Sequence, residues 1–359
     1  MRGSCHKTVA ISHALFCVGK IRCAVRVWLP RVWPTRKHFG TAMKYRPLGK
    51  TGLNLSVISY GAASLGNEYG NATDEARAIR SLHVALDGGV NFIDTSPYYG
   101  RTLSEKVLGR AFKEIARDRF ILGTKCGRYD VAGFDFSYDR ILRSVDESLV
   151  RMGVEHIDIV QCHDIEFGDM QQVVDEALPA LRKAREQGKI RFIGVTGFPL
   201  NIFRYILDRT ELDVMLSYCH YALNNTSLAG LLPYLKAKGV GIMSASPFSE
   251  RLLTRQPLPT WHHAPESLKA QCRKAVEFCD AKGVDIAKLA LQFCVQNPDI
   301  ATTVPGTANP DNMAKQLQWL EESVDHALIA EVRELLEPTK DVLWRVGRQE
   351  NGVDWEAGL

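Results

Sequence analysis

Residues 90–100 read V-N-F-I-D-T-S-P-Y-Y-G. Val90 to Ile93 is a short apolar run, and Asp94 is the first charge after it. An apolar run bounded by turn residues reads as a buried strand of a parallel sheet. Asp94 then closes that strand, and a loop through Pro97 carries Tyr98 and Tyr99 to Gly100. Alone, the stretch is equally an aspartate at a turn followed by surface tyrosines. Its meaning depends on what stands at the other strand ends.

Outward from it, short apolar runs recur at 57–60, 120–124, 157–161, 190–195, 213–217, 240–244 and 301–304. Helical spacing fills the gaps, at Asp74 to Asp87, Ser137 to Arg151, Gln171 to Glu186, Ser227 to Lys238 and Glu266 to Lys282. Eight alternating strand–helix units predict a closed (β/α)8 barrel. A doubly wound open sheet is disfavoured, because no G-x-G-x-x-G turn follows the first strand. Before the barrel, Y-R-P-L-G-K-T-G-L-N-L-S (45–56) predicts a hairpin around Lys50-Thr51-Gly52. The long segment from Phe248 to Pro265 follows the seventh strand and is a candidate lid.

Composition narrows the class. Residues 1–42 hold eight Lys and Arg and no acid, while the remainder carries 37 basic and 41 acidic residues. The overall charge of +4 therefore belongs to that basic stretch, and the body offers no nucleic-acid footprint. The expected organisation is a removable or disordered extension over 1–42, a barrel over 43–340 and a tail over 341–359. Organelle import through the extension is an alternative to a cytoplasmic location, although serine is sparse there. No apolar run approaches a membrane span. Nine cysteines without framework spacing predict free thiols.

Consecutive strand ends carry ionisable groups. The second gives Asp94 and Tyr99, the third (F-I-L-G-T-K) ends in Lys125, and the fourth (I-D-I-V-Q-C-H) ends in His163. A lysine closing an apolar strand needs a partner, since burying an ammonium is costly. Asp94 is the neighbour that can supply it. Barrel active sites are built on this face. A tyrosine with an ordinary pKa near ~10 exchanges protons near neutrality only after a shift of about three units. A close ammonium acts in that direction. The set suits proton transfer at a carbonyl or hydroxyl oxygen, with His163 sharing a proton there. It holds no hydride carrier, which implies a nicotinamide cofactor.

These residues resemble the Asp, Tyr, Lys, His tetrad of the aldo-keto reductases. G-V-T-G-F (194–198), S-P-F (246–248) and V-P-G-T-A-N-P (304–310) are similar to that family's segments for the nicotinamide carboxamide, the pyrophosphate and the adenine side. The resemblance runs from about Lys44 to Pro338. It implies a barrel oxidoreductase whose cofactor is held by Gly61, Ala62, Asp94, Thr196, Gly197, Ser246, Pro247, Phe248, Gly306, Thr307, Asn312 and Gln316. Within the family, D-T-S-P-Y-Y-G, T-K-C-G-R-Y, G-F-D-F-S, C-H-D-I-E-F-G and L-S-Y-C-H-Y resemble plant-type L-galactose dehydrogenases, enzymes of carbohydrate metabolism and ascorbate biosynthesis.

Departures qualify the likeness. Gly197 stands where many relatives have asparagine, Ala245 where many have an aromatic, and Ser249-Glu250-Arg251 where a Gly-containing tract is usual. No arginine lies between Thr307 and Gln316, although Lys315 does, which favours NAD over NADP. Tyr98, Arg128, Tyr129, Phe134, Asp164, His220 and Trp261 fall beyond strand ends and could wall a small polyhydroxylated sugar. Another aldose or a pyridoxal-type carbonyl is an open alternative, as is a nucleotide-binding interaction subunit without turnover. A metal-dependent hydrolase lacks ligand spacing, and no metal is expected.

Overall fold

The computed structural model describes residues 43–67 and 74–352. The extension expected over 1–42 and positions 353–359 of the expected tail lie outside that range. Eight parallel strands follow in chain order: β1 (Tyr60–Gly61), β2 (Phe92–Asp94), β3 (Ile121–Cys126), β4 (Ile157–Cys162), β5 (Ile190–Gly197), β6 (Val214–Tyr218), β7 (Gly241–Ala245) and β8 (Thr302–Val304). Each pairs with its successor. Parallel bridges Ile58–Thr303 and Gly61–Gly306 join the first strand to the last. The barrel expected from the alternating pattern is the one observed.

Helices α1 (Glu75–Asp87), α2 (Leu103–Ala111) and α3 (Tyr138–Met152) follow the first three strands. Asp74 caps α1 by accepting from Arg77 N–H, and Ala78, Leu82, Ala85 and Leu86 form its buried stripe. Gly153 ends α3 in the left-handed conformation at φ 64°, which a residue with a Cβ adopts only at a cost. The helix expected over 171–186 is interrupted. Met170–Gln172 and Leu178–Glu186 (together α4) flank a π-helical stretch, Val173–Ala177. Pro179 lies at the start of the second piece and has no N–H to give an α-type bond, so the turn before it widens. The circuit continues with α5 (Asn201–Leu207) and α6 (Leu228–Lys238). Helices α7 (Glu266–Ala281) and α8 (Ile286–Cys294) precede β8, and α9 (Pro310–Glu321) and α10 (His326–Leu336) follow it. Among the described residues no helix is long and apolar enough to cross a membrane, and all six cysteines are free and buried.

The end of the barrel opposite the strand C-termini is closed by polar anchors. The hairpin strands Tyr45–Pro47 and Asn54–Ser56 pair antiparallel. Leu48 is fully buried, and Gly49 lies so close that an added Cβ would sit 2.4 Å from Gly241 N at the start of β7. Arg46 donates to the carbonyls of Val295, Asn297 and Ile300 just past α8. Asp158 is buried on β4 and accepts from Arg117 (2.6 Å), Arg191 (2.6 Å) and Leu122 N–H (2.9 Å). Burial alone would raise its pKa, but Arg117 and the hydrogen bonds outweigh that and hold the carboxyl below the ordinary range.

A carboxyl whose pKa is depressed on folding contributes stability above its unfolded pKa and loses it as pH falls through the folded value. Asp158→Asn is therefore expected to lower unfolding free energy at neutral pH by about 2–4 kcal/mol, because two guanidinium groups lose their anion. The gap to wild type should narrow as pH falls below about 4. Urea denaturation across that range checks this, and a gap that widens in acid would contradict it.

Candidate active site

The end of β2 and the loop after it converge on Lys125. From the end of β3 its Nζ donates to Asp94 Oδ2 at 2.6 Å, to Thr95 O at 2.9 Å and to Tyr99 Oη at 3.1 Å. Three acceptors match the three protons of an ammonium, in a position only 2% exposed. The register that pairs Asp94 with Gly123 sets Lys125 one inward step further along the barrel, beside the carboxylate. Burial raises the Asp94 pKa and Lys125 opposes that rise.

Tyr99 is fixed by backbone contact. Its loop turns at Gly100 (φ 62°), which meets Gly66 so tightly that a Cβ on Gly66 would lie 2.3 Å from Tyr99 C and 2.5 Å from Gly100 N. His163 follows β4, with its ring perpendicular to Tyr99 at 5.6 Å between centroids. Ser96 Oγ accepts from Tyr98 N–H and lies 3.0 Å from His163 Nδ1. With the serine proton directed at Nδ1, the imidazole carries its hydrogen on Nε2. Burial pushes the His163 pKa down to about 3, with Lys125 and Arg128 adding to that and Asp164 opposing. The ring is a neutral donor at any working pH.

Beside this group runs an aromatic and ionic wall. Arg128 pairs with Asp164 and lies over the Tyr98 ring at 3.7 Å. Phe134 stacks on Phe167 at 4.8 Å within reach of the same guanidinium. Burial disfavours the Asp164 carboxylate, but the charge of Arg128 and its hydrogen bond outweigh that and hold the pKa low. Of the other loop residues, Tyr129 turns away, accepting from Gly127 N–H under Arg140. His220 is buried against Phe198, and Trp261 is 41% exposed beside His262. The geometry brings Tyr98, Arg128, Phe134 and Asp164 to the tetrad and leaves Tyr129 and Trp261 apart.

A cleft of about 630 Å³ leads away from Asp94 and Tyr99. Of the residues expected to hold a cofactor, Gly61, Asp94, Ser246, Pro247, Phe248, Gly306, Thr307, Asn312 and Gln316 line it. Ala62, Thr196 and Gly197 do not. Ala62 is in the core, and Thr196 Oγ1 accepts from Asp164 N–H. A Cβ on Gly197 would meet Ile202 Cδ1 at 2.1 Å and Glu166 Oε2 at 2.6 Å, so the asparagine of relatives has no room here. Asp94 Oδ1 and Gln316 Oε1 are buried in the cleft wall without a hydrogen-bond partner, as suits a ligand with many polar atoms. Sequence reading missed Arg77, which lines the cleft from α1 and pairs with Asp311 at 3.2 Å and Asn309 at 3.0 Å. Its helical position gave no sign of a partner more than two hundred residues away. Glu250 and Arg251, which stand out in the sequence only as replacements for a Gly-containing tract, also line the cleft.

The aldo/keto reductase family model matches residues 57–337, and the chain belongs to that family of oxidoreductases. L-galactose dehydrogenase of Arabidopsis thaliana is 45% identical over 87% of this chain and 100% of its own length. D-arabinose 1-dehydrogenase of Saccharomyces cerevisiae is 32% identical over 67% of this chain and 76% of that one. A solved aldo-keto reductase from Bacillus halodurans, in its holo form, superposes with a TM-score of 0.69 at 27% identity, covering 86% of this chain and all of that one.

The Gly66–Gly100 contact makes Tyr99 sensitive to a single methyl group. Gly66→Ala should displace the tyrosine loop, lowering stability by about 1–3 kcal/mol. A shift of about 1 Å at the phenol should cost on the order of 10²-fold in kcat. Denaturation and steady-state rates measured together test this, and an alanine variant with native rate would contradict it.

Proposed function

We propose that the chain oxidises an aldose, L-galactose foremost, at its anomeric carbon to the lactone, with NAD as the acceptor. The observation that carries the chemistry is Tyr99 Oη held 3.1 Å from a buried ammonium at the mouth of a dinucleotide-sized cleft. The substrate class rests on the likeness to L-galactose dehydrogenase along its whole length. When bound, the nicotinamide supplies the hydride acceptor. Ser246 to Phe248 and Gly306 to Gln316 would hold its dinucleotide along the cleft.

The chain's own residues handle the proton. Tyr99 takes it from the anomeric hydroxyl as hydride leaves C1. Lys125 stabilises the negative charge on the phenol oxygen, and Asp94 with Thr95 O holds Lys125 in place. Neutral His163 presents Nε2–H to the substrate oxygen and orients it without adding charge. Tyr98, Arg128 and Phe134 offer ring faces and donors to the sugar, as a polyhydroxylated ligand requires.

NAD is favoured over NADP by the pairing at the far end of the cleft. Arg77 is engaged by Asp311, whose carboxylate would oppose a ribose 2′-phosphate. Comparing kcat/KM for the two cofactors tests this, and equal or better use of NADP would overturn it.

Tyr99→Phe keeps the ring and deletes the ionisable oxygen. Its kcat should fall on the order of 10²-fold or more, with NAD affinity nearly unchanged. Lys125→Met should lower the rate and move the basic limb of the pH profile upward, since the phenol loses its cation. Kinetics across pH, with NAD binding followed by protein fluorescence, decide the matter. Near-native turnover of Tyr99→Phe would remove the tyrosine from its assigned role.

A further inference from the structure

The turn after β7 holds residues with side chains where glycine is the easy choice. Ser249, Glu250 and Arg251 have φ of 45°, 53° and 82°, following Ser246 at 58°. Residues with a Cβ keep that conformation only where the surroundings enforce it, and such strain gathers at functional sites. Here the enforcement is visible. Buried Ser249 donates from Oγ to Asn224 Oδ1 at 2.6 Å, and its N–H bonds Ser246 O at 2.9 Å. Leu252 and Leu253 are buried behind the turn, with Leu253 N–H bonded to Phe248 O at 3.1 Å.

The pinned turn carries Glu250 into the cleft that Asp94 and Tyr99 also line. Its carboxyl makes no hydrogen bond or ion pair among the described residues. The charged and titratable groups nearest in effect are Asp164, Arg128 and Tyr218. Burial first, then the negative charge of Asp164, push the Glu250 pKa up to about 7, with Arg128 opposing. The carboxyl thus waits in the cleft without a partner of its own and ionises around neutral pH.

The charges around the tetrad show what such a group would accept. Lys125 is engaged by Asp94, and Arg128 by Asp164 beneath the Tyr98 ring. His163 is neutral, and the buried Glu166 has its pKa raised by burial and by Asp164. Among these groups, with Glu250 ionised, three carboxylates face two cations. A hydroxyl-rich neutral ring brings donors to such a site, whereas a phosphate or carboxylate brings repulsion.

We propose that Glu250 is a specificity-determining residue that accepts a hydroxyl of an uncharged sugar and excludes phosphorylated or acidic sugars from the site beside Tyr99. This rests on the aldose-oxidising function proposed above and adds the charge class of its substrate.

The test is steady-state kinetics at about pH 8.5, where Glu250 is ionised, with L-galactose, D-arabinose and D-arabinose 5-phosphate as probes. Glu250→Gln removes the charge at nearly constant shape. Glu250→Asn is the second variant, because asparagine tolerates the left-handed backbone best among residues with side chains. In either variant KM for the neutral sugars should rise about tenfold, as expected for loss of a charged acceptor. The kcat/KM for the 5-phosphate relative to D-arabinose should rise on the order of tenfold or more. Because Glu250 also lines the cofactor cleft, NAD is kept saturating for each variant, with its affinity read by protein fluorescence. Unchanged neutral-sugar KM and unchanged phosphate discrimination in both variants would overturn the proposal, as would a change confined to NAD affinity. A wild-type chain inert on every aldose would instead strike at the aldose-oxidising reading itself.

Discussion

An ammonium at the end of a barrel strand, cut off from water, sets the terms for everything around it. Removing such an ion from solvent costs several kcal/mol unless its surroundings replace the lost hydration. Lys125 finds that replacement in a carboxylate, a main-chain carbonyl and a phenol. The three come from the end of β2 and the loop after it, so the order of that loop and the presence of the cation depend on each other. Removing one partner would leave a buried charge under-solvated, which ties fold stability to the intactness of the site.

Around this cation the chain separates ionised groups from neutral ones by burial and pairing. Asp164 keeps its charge because Arg128 answers it. Glu166, a few residues on, is fully buried with Asp164 close by, and its pKa is driven well up. Its Oε1 accepts from Phe198 N–H just past β5, and its Oε2 fills space that a side chain on residue 197 would otherwise need. The glycine at 197 and the glutamate at 166 are thus one local solution.

Much of this architecture is legible in the chain itself. Alternating apolar runs and helical stripes give the barrel, because burial on both faces imposes that pattern on parallel strands. The tetrad is legible because Asp94, Lys125 and His163 close successive strand runs, where a charged or polar side chain is conspicuous, and Tyr99 follows in the loop after the first of them. The rest depends on approaches across the fold that leave no local trace. Arg77 is one polar position in an amphipathic helix until α9 brings Asp311 to it. Glu250 looks like a misfit in a turn until Asn224 and the leucines behind it fix the backbone. The π-helical widening before Pro179 was within reach of the sequence, since the missing N–H is written there, but apolar spacing alone passes over it.

The loop bearing Asp164 is fastened from far away in the chain. Asn351 Nδ2 donates to Glu166 O (2.9 Å) and Gly168 O (2.8 Å), Arg348 N–H also reaches Glu166 O (2.9 Å), and Trp344 packs on Phe198 at 5.1 Å. These positions follow every strand of the barrel. During synthesis the ring of strands can therefore close before the wall beside the tetrad is secured. A nascent chain halted just after α10 would hold the tetrad yet lack the clasp that steadies its neighbour, so catalytic competence comes later in the life of the polypeptide than the fold does.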